Sequence, residues 1–186
     1  MPVKKVTRDE VVLKALGVFH QLGYHHTTMQ DLADSCGLLK GSFYHYFDSK
    51  ESLMLEVLTG IGEYMHAKVF VIAYNDNLSG KEKLEKMFVK LEKILRYNEE
   101  GGCILGNMTL ETARIIPEFA VILKAIFLEW AAALKYIFQE KYAAVDAERL
   151  AWETLTAFEG AVMMAKLFDK PDFYQDCYRK TLQIFN

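Results

Sequence analysis

Helix punctuation constrains this chain more than any other feature. Thr7 and Glu10 stand at the spacing of a capping box, in which each side chain satisfies the other's free backbone N–H. Val11, Ala15, Phe19 and Leu22 follow at helical spacing until Gly23 ends the run, which predicts a helix over residues 8–22. The same grammar repeats down the chain. Thr28 is placed to cap a second helix with Met29, Leu32, Ala33 and Cys36 on one face and Gly37 as its stop. Asp48 with Glu51, and Ser79 with Glu82, read as two further capping boxes, opening helices from residue 49 to about 74 and from about 80 to 98. After Gly101 and Gly102 comes a short segment over about 104–115, and Pro117, at a first helical position where its missing N–H costs nothing, starts a long helix to about 142. Asp146 is placed to cap the next helix, to about 168, and Pro171 begins the last. No stretch alternates as a strand does and no internal repeat appears, so the expected fold is all-α, with about nine helices.

Composition adds limits. With 186 residues, 52% of them hydrophobic, the chain can bury a sizeable core, and the helix lengths suggest a small domain over residues 1–48 and a larger one over 49–186. The formal net charge of −3 advertises no bulk attraction to nucleic acid. Up to residue 50, six basic residues face five acidic ones; beyond it sixteen face twenty, a mild asymmetry. Cys36, Cys103 and Cys177 form no CxxC pair and are too scattered for a disulfide framework, which predicts a reduced, cytoplasmic protein. The polar opening predicts no signal peptide. The most membrane-like run, residues 119–138, is interrupted by Lys124, Glu129 and Lys135; on a helix the two lysines fall within roughly 20° of each other, the pattern of a buried helix with one charged stripe. No membrane partner is expected.

Residues 43–47 hold the densest aromatic cluster, on a third helix expected over about 40–46. Phe43 and Phe47, four apart, share one face and can anchor it. Tyr44, His45 and Tyr46 must then point elsewhere. Two short helices joined at a glycine, the second with a pinned inner face and a polar outer one, make a helix-turn-helix. Its outward set is Lys40, Gly41, Ser42, Tyr44 and His45. Lys40 can reach guanine O6 and N7 or a phosphate. Gly41 removes a side chain where backbone and DNA come close, at a cost of ~1 kcal/mol in helix propensity.

These residues carry a family resemblance. The stretch over residues 7–50, with "GYHHTTMQDLADSCGLLKGSFYHYFDSKESL" as its densest part, resembles the N-terminal DNA-binding domain of the TetR/AcrR family of transcriptional regulators. The resemblance covers about the first quarter of the chain at motif level, the rest agreeing in helix count and in "GGCILGNMTLE". It implies that Thr28 caps the second helix and contacts phosphate with Thr27 beside it, and that Gln30 faces bases. It further implies that Lys40, Gly41, Ser42 and His45 lie on the base-reading surface, and that Tyr44 and Lys50 hold phosphates. One departure stands out. Many members place Ser or Thr before the Lys-Gly pair; here Leu39 stands there, which weakens the cap by ~1 kcal/mol and removes any hydroxyl contact with DNA.

One such module binds weakly, so a particular operator calls for two half-sites and a dimer. Ala157, Ala161 and Ala165 recur at every fourth residue beside Gly160, a stripe along which another helix can approach, from the same chain or from a second copy; Phe173 and Cys177 lie on the following helix. The resemblance implies a four-helix homodimer interface there and a small-molecule pocket among the middle helices. Phe88, Leu91, Leu95, Met108, Phe127, Trp130, Trp152 and Met163 are candidates for its apolar walls, and Asn107 or Glu159 for polar specificity; each can equally be core. Cys103, at a helix start, is either a reactive thiolate or a small packed residue. Cys36 and Cys177, on apolar faces, are expected to be inert. His25 and His26 lack a third ligand at a recognised spacing, and no phosphate loop, nucleophile elbow or paired carboxylates appear, so no metal, cofactor or enzymatic activity is expected. The resulting expectation is a ligand-responsive regulator whose homodimer binds double-stranded DNA at a near-palindromic operator. Repression is the default, with activation or thiol-based sensing as alternatives.

Overall fold

The computed structural model describes residues 6–97 and 102–185, and among these the regular structure is helical throughout. The N-terminal unit consists of α1 (Arg8–Leu22), α2 (Met29–Ser35) and α3 (Lys40–Phe43). Both reciprocal bonds of the Thr7–Glu10 box are made, and Thr28 makes the same arrangement with Asp31, whose carboxylate accepts from the Thr28 N–H and hydroxyl. α3 is shorter than the expected 40–46. Beyond Phe43 the amides of His45 and Tyr46 bond back to Ser42 (3.2 Å) and Phe43 (2.9 Å), three residues earlier, so the chain tightens and leaves the helix.

α4 (Lys50–Lys68) is capped by Ser49, which accepts from the Ser52 amide, and not by the expected Asp48–Glu51 box. Asp48 accepts from the Ser52 hydroxyl instead, and Glu51 is drawn to Tyr24. The α-helix also ends before residue 74: residues Phe70–Tyr74 wind as a 3-10 turn, which brings Phe70 and Ala73 to one side, both fully buried.

The remaining helices are α5 (Gly80–Tyr97), α6 (Ile104–Thr112), α7 (Pro117–Phe138), α8 (Ala144–Phe168) and α9 (Asp172–Leu182). The Ser79–Glu82 box opens α5, and Pro117 opens α7 as expected. α8 begins ahead of Asp146, at Ala143 with no side-chain cap; Asp146 sits in its first turn within reach of Arg149 (3.5 Å).

α1 packs on α2 and α4, α4 continues onto α7, and α7 is the central rod of the body, flanked by α8, α6, α5 and the 3-10 turn, with α9 closing over α8. The buried side chains form one cluster from Val11, Phe19 and Phe43 through Leu53 and Val57 to Trp130 and Phe158. Head and body therefore share hydrophobic contact through α4. No described helix is long and apolar enough to cross a membrane.

Candidate nucleic-acid interface

α3 is held by its aromatic anchors. Phe43 is fully buried and Phe47 is 2% exposed, while Lys40, Gly41, Ser42, Tyr44 and His45 are all exposed on the opposite flank. Tyr46 turns sideways, its hydroxyl donating to the Val6 carbonyl (2.7 Å). Among the described residues, no hydrogen bond engages the side chains of Lys40, Ser42 or His45, so their donors face solvent. Gly41 has open space where a Cβ would stand, so nothing in the fold requires glycine there. On α2, Gln30 is exposed and donates to Asp34 (2.7 Å), and Thr28 is exposed at its cap.

Two residues expected at this surface turn inward. Thr27 is 2% exposed and its hydroxyl donates to the Gly23 carbonyl (2.6 Å). Lys50 donates to the carbonyls of Tyr24 (2.8 Å) and Thr27 (2.9 Å), with its ammonium 4.3 Å from the Tyr24 ring centre. The loop between α1 and α2 exposes carbonyls that need donors, and these side chains supply them. In this conformation both side chains bond the loop between α1 and α2, and one N–H of the Lys50 ammonium is left over.

Tyr24, which sequence reasoning passed over, is the hub of this loop. Its ring meets Phe119 of α7 edge-on at 5.2 Å, and its hydroxyl donates to Glu51 (2.9 Å). Burial raises the Tyr24 pKa, while backbone N–H groups and this hydroxyl hold the Glu51 carboxyl below the usual range. Arg8 makes a second tie, pairing with Glu56 of α4 (2.6 Å), donating to the Tyr46 carbonyl (2.6 Å) and lying 4.0 Å over the Phe47 ring.

α6 grips the head at both ends. In its last turn, the Glu111 carboxylate accepts from the amides of Tyr24 (2.8 Å) and His25 (3.2 Å), and the Glu111 carbonyl accepts from His25 Nε2 (3.1 Å). Gly23, at φ 77°, lies so close that a Cβ there would stand 2.8 Å from that carboxylate. Before its N-terminal end, the Gly102 carbonyl accepts from His20 of α1 (2.9 Å). Burial lowers the His20 pKa, and Lys166 adds to the effect against the pull of the Gly102 bond.

The expected ligand-wall residues divide. Phe88, Leu91 and Trp130 surround a void of only about 10 Å³ between α5, α7 and α8, which is packed core. Met108 is fully buried, Asn107 and Leu95 are half-buried, and Met163 is exposed. Phe127 and Trp152 instead line an open apolar cavity of about 320 Å³ with Thr109, Ala113, Leu123 and Leu128. Cys103 is the half-buried N-cap of α6. Burial raises its pKa well above the ordinary value, and the neighbouring Glu159 carboxyl adds to this against the Gly106 and Leu105 amides. Glu159 is itself raised by burial, with Oε1 buried and unpartnered.

Of the expected dimer residues, Ala157 is exposed, Gly160 has nothing within 4 Å of its Cβ position, and Ala161 and Ala165 are half-buried. Phe173 stacks on Phe168 at 5.8 Å. Cys177 packs against the chain's own core, which takes it out of the exposed patch; burial pushes its thiol pKa up. Cys36 is buried, as its apolar face implied. Among the described residues no cluster of three metal-binding side chains occurs.

Comparison with known proteins agrees with this anatomy. The profile "Bacterial regulatory proteins, tetR family" matches residues 12–57, and that of the "Transcriptional regulator LmrA/YxaF-like, C-terminal domain" matches residues 81–172. The chain is 24% identical over 179 residues to the transcriptional regulator AcuR of Cereibacter sphaeroides, spanning 92% of this chain and 81% of that one. Over 65 residues, 35% of this chain and 32% of the relative, it is 42% identical to the transcriptional repressor KstR2 of Rhodococcus jostii. A TetR transcriptional regulator from Legionella pneumophila superposes with a TM-score of 0.87 at 22% identity, covering 98% of both chains. This chain belongs to the TetR family of bacterial transcriptional regulators.

Proposed function

We propose that this protein is a repressor whose homodimer occupies a near-palindromic operator and releases it when a small molecule binds the C-terminal domain. The observation that carries the reading is the two-sidedness of α3: Phe43 and Phe47 are locked into the core while Lys40, Gly41, Ser42, Tyr44 and His45 stand free on the other flank. A helix so mounted enters a major groove without rearrangement, and its amine, hydroxyl and imidazole groups can reach base edges and phosphates. The repressor-named relative supports the sign of the regulation.

The ligand response has a physical route in α6. Thr109 and Ala113, on and just beyond that helix, line the 320 Å³ cavity, and the same segment holds the head through Glu111 and Gly102. An occupant that favours a displaced α6 by ~3 kcal/mol weakens DNA binding about a hundredfold. Cys103, half-buried with its pKa raised by burial and by Glu159, gives no support to thiol sensing.

The test is to select bound fragments from genomic DNA with the full chain and then titrate the recovered duplex while compounds made by neighbouring gene products are added. The expected result is nanomolar binding at moderate salt and release by one compound class. Failure to retain any duplex even at low ionic strength would falsify the reading.

A further inference from the structure

Leu38 and Leu39 are adjacent, yet Leu38 packs against the core while Leu39 is 80% exposed. Leu39 is the N-cap of α3, its backbone fixed by the bond from the Phe43 amide to its carbonyl (3.0 Å), and its side chain makes no capping bond. Leucine is among the poorest N-caps, and exposed leucine surface is unfavourable in water. The fold gains neither a cap nor packing from this side chain. It stands at the leading end of the helix, directly before the exposed Lys40, Gly41 and Ser42.

We propose that Leu39 selects thymine, packing its isobutyl group on the C5-methyl in the major groove of the operator. Among the base edges there, thymine alone presents an apolar group, and it is matched by an apolar side chain. The N-terminal residues of a recognition helix are those that contact base edges, so the N-cap position is within reach. Lys40 and Ser42, next in sequence, supply donors for acceptors on adjoining base pairs. The proposal rests on the reading of α3 as the groove-entering helix.

The experiment uses the full chain and a duplex recovered from a random-sequence pool. Each thymine is replaced in turn by deoxyuridine, which lacks only the methyl, and binding is compared for wild type, Leu39→Ala and Leu39→Ser. One thymine in each half-site is expected to cost the wild type about fourfold when its methyl is removed, the effect of one buried methyl group. The same replacement is expected to be silent in both variants, and selection with Leu39→Ser is expected to lose the thymine preference there. Leu39→Ser also supplies a capping hydroxyl, so its expected higher thermal stability separates readout from folding. A deoxyuridine penalty that is the same with and without Leu39 at every position, in proteins that all bind, overturns the assignment. If the wild type retains no duplex from the pool, the reading of α3 fails and the assignment falls with it.

Discussion

Lys50 matches a family motif and also bonds the loop of its own chain. Its ammonium bonds two loop carbonyls and lies over the Tyr24 ring, so truncation leaves Tyr24 and Thr27 carbonyls short of a donor. Charge-assisted bonds of this kind are worth about 1.5–3 kcal/mol. Lys50→Ala is expected to lower stability in urea by about 2 kcal/mol and to leave the salt dependence of DNA binding unchanged; a slope reduced by about one per head would restore a phosphate role. Glu159 gives a second residue-level expectation. Its folded pKa lies above the free value of 4.5 because burial penalises the carboxylate. Below pH 4.5 the acid is protonated folded or unfolded; as pH rises through the window up to the folded pKa, the unfolded chain loses its proton first and stability falls. Glu159→Gln removes that loss, so the melting temperatures of variant and wild type should diverge from pH 4.5 upward and then run parallel. A constant difference across the range would contradict the buried-carboxyl account. Phe43 and Phe47 were readable from spacing alone, whereas the inward turn of Thr27 and Lys50 was not, because it depends on carbonyls exposed by a loop that closes only when α1, α2 and α4 are assembled.

Among the helices, those whose ends are set by their own residues were readable and those set by neighbours were not. Thr7 with Glu10 and Ser79 with Glu82 are local devices, and both stand where their spacing puts them. The break after Lys68 has no such local mark. It follows from packing, since Phe70 meets Trp130 of α7 (6.1 Å) and a continued α-helix would turn Phe70 and Ala73 to different angles. α6 is the same kind of case: nothing local to Glu111 announces that it caps the amides of a loop far behind it in sequence. α3 yields the prediction at this scale. A Cβ at position 41 meets nothing, and the backbone there is ordinary helix. Gly41→Ala is therefore expected to raise folding stability by up to ~1 kcal/mol while weakening binding to any duplex. If the variant gains stability and binds DNA as the wild type does, close backbone approach at this position is wrong.

At the scale of the molecule, α8 and α9 leave an apolar face uncovered. Met163, Leu167, Phe168 and Phe173 are exposed along the same stretch as the Ala157–Gly160–Ala161 stripe, and no intrachain helix presses on Gly160. Apolar surface of this kind rimmed by polar residues is a mark of an interface, and small residues let a partner backbone come close. A second copy of this chain is the occupant proposed here, since paired heads are what a two-half-site operator requires. Placing carboxylates on the stripe tests this directly. Ala157→Glu with Ala161→Glu introduces like charges that a symmetric pairing would bring together without partners, a cost of several kcal/mol. The double variant is expected to sediment as a monomer with unchanged helicity, and to bind an isolated half-site as the wild-type head does while losing the tight binding to the full operator. Should it remain a dimer, the pairing surface lies elsewhere, and the exposed Val121 and Leu128 of α7 become the next apolar face to charge.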